Sequence, residues 1–119
     1  MAANAFLDEI ARPGFWANLE QLDTALYAGL REAFKRAGLP VWVQALGARF
    51  SLLFGLESEP TTYRQAARHD RELARRFYAA AVEEGAYFHF QWHHGISAMH
   101  TMADVERALA AVEAAARRC

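Results

Sequence analysis

The 119-residue chain is almost without cysteine and lysine, having one of each, Cys119 and Lys35. A lone thiol excludes an internal disulfide framework and a cysteine zinc cluster. Charge of one sign is lacking too. Thirteen basic and fourteen acidic side chains leave a formal net charge of −1, which predicts no general pull toward nucleic acid or an anionic membrane surface. No apolar run approaches the roughly 20 residues of a membrane span. Asp8 and Glu9 interrupt the N-terminal stretch before it can form the charged-then-apolar pattern of a signal peptide. The expectation is a cytoplasmic protein with no nucleic-acid and no membrane partner.

What is present is the material of one packed domain. Hydrophobic residues make up 54 % of the chain and aromatics 13 %, a profile of globular cores and not of disordered tails. Alanine occurs 26 times, which favours helix. Phe15, Leu19, Leu22, Leu26, Leu30 and Ala33 or Phe34 recur at spacings of three and four, so one apolar stripe predicts a helix from about Gly14 to Ala37. Pro13-Gly14 separates it from a shorter apolar pattern, Phe6, Leu7 and Ile10. Gly38, followed by Leu39-Pro40, stops it.

The next segment changes period. Val41-Trp42-Val43 and Arg49 to Phe54 are rich in β-formers with Gly47 between them, the pattern of a hairpin. Thr61 or Thr62 can cap a following helix, predicted over Tyr63 to Glu84 with Ala66, Leu73, Phe77 and Ala80 inward. Beyond Gly85, Ala86 to Phe90 and Ile96 to Met99 are predicted as a strand pair around a turn from Gln91 to Gly95. Thr101 and Asp104 form a capping box for a last helix with Val105, Leu109, Val112 and Ala116 inward. Helices over a small antiparallel sheet, hairpin plus strand pair, make the fold class α+β.

Four histidines, His89, His93, His94 and His100, fall within twelve residues, and imidazole is the commonest metal ligand. Their spacing matches no metal motif, so turn and strand histidines bonded to backbone are the simpler account. Arg64, Arg68, Arg71 and Arg75 line one helix face, with Glu72 placed to pair with Arg76 at i,i+4. Such a stripe is a solvated face or a subunit contact. Arg49 differs because it opens an apolar strand, where a guanidinium must reach water, a carboxylate or a ligand. Ser51, Ser58 and Ser97 lack a nucleophile elbow, and no glycine-rich phosphate loop is present.

Phe77 to Leu109, FYAAAVEEGAYFHFQWHHGISAMHTMADVERAL, resembles the C-terminal small domain of class III PLP-dependent aminotransferases, in the branch of glutamate-1-semialdehyde aminomutase. Gly85-Ala86-Tyr87, Ser97-Ala98-Met99-His100-Thr101 and Asp104-Val105 match that family's motifs in order. Leu46 to Phe54 is similar to its glycine-started strand, and Met1-Ala2-Ala3-Asn4 to the inside of the helix that leaves its large domain. His93-His94 stands where the aminomutase has a Pro-Ser step and an acidic residue, so transaminase and mutase both remain open.

The resemblance implies residues 1–12 as the remnant of an interdomain helix and 13–119 as the small domain. It implies pyridoxal phosphate in the full-length enzyme, held by a lysine, an aspartate and phosphate donors of a large domain. For this chain alone no cofactor and no catalytic residue are expected, because Lys35 falls in a polar Lys-Arg pair before a helix cap, and no metal is expected from the histidine spacing. The implied partners are that large domain and a second copy of the chain. Arg49 is then placed to face a substrate carboxylate, with His93 or His94 lining the entrance. Two other classes compete: a protein-interaction or dimerisation module, and a small histidine-based metal-binding protein.

Overall fold

The computed structural model describes residues 2–90 and 93–119. Its elements are α1 (Ala2–Ile10), α2 (Phe15–Ala37), β1 (Val41–Leu46), β2 (Arg49–Phe54), α3 (Tyr63–Ala66), α4 (Arg71–Glu83), β3 (His94–Gly95) and α5 (Met102–Ala116). The described residues form an α+β fold, five helices with one open antiparallel sheet in the order β1-β2-β3. No described helix is long and apolar enough to cross a membrane.

The α2 stripe is buried as its spacing predicts, with Leu19, Leu22, Leu26, Leu30, Ala33 and Phe34 inside. Gly14 and Gly38 flank it in left-handed conformation, φ 82° and 68°, where a side chain is strained. The hairpin closes at Leu46↔Arg49 over the two-residue turn Gly47-Ala48, and the Tyr27 hydroxyl donates to the Gly47 carbonyl at 2.6 Å. Arg31 donates from Nη2 to the Val43 carbonyl at 3.3 Å, occupying part of the open edge of β1.

The core lies where α2, β2 and α4 meet. Phe34, Phe54 and Phe77, one from each element, form a ring triad with centroids 5.1 to 5.8 Å apart, and all three are at most 1 % exposed. From the other side α5 supplies Val105, Val112 and Ala115. Gly29 lets it approach α2: a Cβ at position 29 would stand 2.3 Å from Leu109 Cδ1.

Two expectations are corrected. The helix foreseen over residues 63–84 is two helices, because Asp70 starts α4 afresh. Its Oδ1 accepts from Glu72 N and Leu73 N at 3.0 and 2.9 Å, while its own N–H donates to the Phe54 carbonyl at 2.7 Å. The N-cap, and the tie to the end of β2, outweigh continuation of the helix. The arginine stripe is divided accordingly, and Glu72 pairs with Arg75 at 2.8 Å, one residue nearer than Arg76. Neither strand of the expected pair forms; the third strand is instead β3, two residues inside the stretch expected as the turn, set against Arg49 and Phe50. Residues 86–90 form no strand, and beyond Ile96, whose N–H reaches the Ala48 carbonyl at 2.9 Å, the chain turns at residues 97–100. Thr62 and Thr101 both head capping boxes, the second with Asp104.

Candidate functional site

The short β3 strand organises the site because it sets the chain against the first two residues of β2. Arg49 pairs with Gly95 and Phe50 with His94. Side chains alternate across a sheet, so Phe50 and His94 point into the core and Arg49 points away from it, on the face it shares with Leu46. The registers Gln44↔Ser51 and Trp42↔Leu53 continue that face along the hairpin. On it lies a depression of about 500 Å³ bordered by Arg31, Trp42, Gln44, Ser51, Arg49 and His93. Around the free edge of β3 a second cavity, about 310 Å³, is lined by Arg49, His93, His94, His100, Phe88 and Val105. Arg49 and His93 border both.

The structure thus brings Arg49, His93 and His94 together in sequence register but separates the two histidines in environment. His93 and Arg49 are exposed. His94 is 6 % exposed, its ring among Phe50, Phe88 and Tyr78 with centroids 5.0, 5.4 and 5.6 Å away. Its Nε2 lies 3.0 Å from the Tyr78 hydroxyl. Burial, with smaller contributions from His89 and His93, lowers the His94 pKa from 6.5 to about 4, so the ring is neutral at pH 7. Burial also pushes the Tyr78 hydroxyl above its ordinary value. Gln91 and Trp92, the start of the loop expected to contribute to the site, lie outside the described residues.

Among the described residues no three His, Cys, Asp or Glu side chains gather as a metal set. His100 is engaged locally: its Nδ1 accepts from Ser97 N at 3.0 Å. His89 stacks on Phe90 with centroids 5.2 Å apart. Residues that spacing alone did not single out are Tyr78, the partner of His94, and Trp42 and Gln44, which share the open face with Arg49. Period-two counting outward from Arg49 through the hairpin register finds the latter pair; Tyr78 has no local signal.

No protein-family model matches the sequence. Solved structures do share its fold. An ω-transaminase from Sphaerobacter thermophilus superposes with a TM-score of 0.78 at 24 % identity, over 89 % of this chain and 24 % of that one. The PLP internal aldimine form of the FumI protein from Sphingopyxis gives 0.76 at 24 % identity, over 94 % and 24 %. A glutamate-1-semialdehyde aminomutase from Pseudomonas aeruginosa gives 0.77 at 20 % identity, over 90 % and 24 %.

The described residues do not make a pyridoxal phosphate site by themselves. That cofactor needs a lysine amine, a carboxylate at its ring nitrogen and donors around its phosphate. Lys35 is exposed in the last turn of α2. Asp23, the one buried carboxylate among the described residues, lies twelve positions earlier on the same helix, about 18 Å along its axis. The two do not converge. The chain spans about a quarter of the length of the solved proteins it matches, and it has the fold of that quarter of the ω-transaminase, the FumI protein and the aminomutase.

Proposed function

We propose that this chain is the C-terminal small domain of a PLP-dependent class III aminotransferase or aminomutase, acting in amino-group transfer on an amino or semialdehyde acid. The carrying observation is the match of some nine-tenths of the chain, with TM-scores of 0.76 to 0.78, to one quarter of an ω-transaminase, of the PLP-bound FumI protein and of a glutamate-1-semialdehyde aminomutase. Residues 1–12 are then the helix leaving the large domain, and 13–119 the small domain. The large PLP-binding domain is the partner that supplies the cofactor lysine. Arg49 and His93 face the shared cleft, Arg49 offering a guanidinium to a substrate carboxylate.

The test begins with the chain alone. Mixed with pyridoxal phosphate it is expected to develop no stoichiometric visible band of lysine-bound cofactor. Joined to the large domain of a class III aminotransferase, it is expected to complete an enzyme that transfers amino groups. A stable one-to-one band in the isolated chain, abolished by Lys35→Ala, overturns the assignment.

One observation favours a second reading, the interaction or dimerisation module. No residue of α1 is buried, and Phe6 and Leu7 are 63 % and 57 % exposed. An uncovered apolar helix face belongs against another surface, whether the large domain or a second chain.

A further inference from the structure

Neighbouring residues of a strand point to opposite sides, so a slip of one position would exchange His93 with His94 and carry Gly95 away from Arg49. Something must hold that register. The ladder itself is short: among the described residues β3 has two residues, pairs with β2 at Arg49↔Gly95 and Phe50↔His94, and is followed by one further bond from Ile96 N–H to the Ala48 carbonyl. Packing alone does not account for an imidazole at position 94. Its surroundings are the rings of Phe50, Phe88 and Tyr78, and its Nδ1 is buried without a hydrogen-bond partner among the described residues. An apolar side chain would fill that nest with no unpaired nitrogen. What the imidazole adds is the 3.0 Å hydrogen bond between its Nε2 and the Tyr78 hydroxyl. Tyr78 is itself fixed, 6 % exposed in the third turn of α4 beside Phe77 of the core triad.

We infer that the Tyr78–His94 hydrogen bond is the latch that fixes the register of β3, making His94 and Tyr78 positioning residues for Arg49 and His93. Of the two adjacent histidines His93 then borders the depression on the Arg49 face of the sheet, and His94 acts through the strand and not on a ligand. Calling that face the substrate side rests on the proposed function. The register claim does not, and its test needs no activity.

The test uses amide, histidine-ring and arginine Nε–Hε NMR signals of the full chain. Tyr78→Phe keeps the ring in the core and removes the hydrogen bond. It is expected to leave the signals of α2 and α5 in place while shifting or broadening the Gly95 amide, the Arg49 Nε–Hε and the His93 ring resonances. His94→Leu is expected to do the same. His94→Gln, whose amide still reaches the Tyr78 hydroxyl, is expected to restore all three signals toward wild type. If Tyr78→Phe lowers the melting temperature but leaves Gly95, Arg49 and His93 at their wild-type positions, the pair merely fills the core and the inference is overturned. Should His94→Leu fail to fold, Tyr78→Phe decides alone.

Discussion

Arg49 lies across Gly95. The two residues are paired between β2 and β3, and Arg49 Nη1 and Cδ stand 3.4 and 3.5 Å from the point a Cβ on residue 95 would occupy. Those are ordinary contact distances, so Gly95→Ala is expected to leave the guanidinium in place. A branched side chain needs the volume the arginine stem now fills. Gly95→Val is therefore expected to move the Arg49 Nε–Hε resonance, and an unmoved signal in that variant would contradict the arrangement.

In a chimera with the large domain of a class III aminotransferase, Arg49→Ala is expected to lower kcat/KM and leave the melting temperature nearly unchanged. An exposed guanidinium supports little of the core, whereas a lost charged hydrogen bond to substrate costs about 1.5–3 kcal/mol, roughly ten- to a hundredfold in rate. His93→Ala is expected to follow in direction. Unchanged kinetics with a lowered melting temperature would make both residues structural.

Acid should weaken the fold through His94. Its folded pKa of about 4 lies below the 6.5 of the free imidazole, so the unfolded chain binds the extra proton more readily. The contribution is complete above about pH 6.5, falls as pH drops toward about 4, and changes no further below that; its ceiling is about 3 kcal/mol. His69, lowered by burial and then by Arg71, slopes the same way. Urea unfolding midpoints across this range check it. His94→Gln, which does not titrate, should flatten the dependence, and an equally steep profile in that variant rules His94 out as the source.

Asp70→Ala should cost about 1 kcal/mol, the ordinary worth of an N-cap. Its carboxylate holds two amides of the first turn of α4. Asp70→Asn should recover most of the loss, because an amide oxygen accepts the same bonds. Denaturant titration of the two variants separates a cap from a charge effect.

The isolated chain should self-associate. Phe6 and Leu7 are more than half exposed, and apolar surface of this kind is removed from water by a second copy if nothing else offers itself. Sedimentation of the wild type against Phe6→Glu/Leu7→Glu is the measurement. A wild-type monomer at high concentration, or association indifferent to that double change, would speak against α1 as the contact.

The sequence by itself determined the parts whose signal is local. The stripe from Leu19 to Phe34, the stop at Gly38, the hairpin around Gly47 and the Thr101–Asp104 box each lie within a few residues, where backbone propensity and periodicity act directly. Arg49 was also legible, as a charge opening an apolar strand. Tertiary structure decided what depends on residues far apart in the chain. The helix over 63–84 divides because the Asp70 amide meets the Phe54 carbonyl, sixteen positions back. The stretch 86–90 reads as a strand by composition, yet among the described residues it is His94 and Gly95 that pair with β2, since a strand exists only where a neighbour receives its hydrogen bonds. His93 and His94 are indistinguishable as adjacent letters. Burial among the rings of Phe50, Phe88 and Tyr78 separates them, leaving one inward and neutral and the other at the surface.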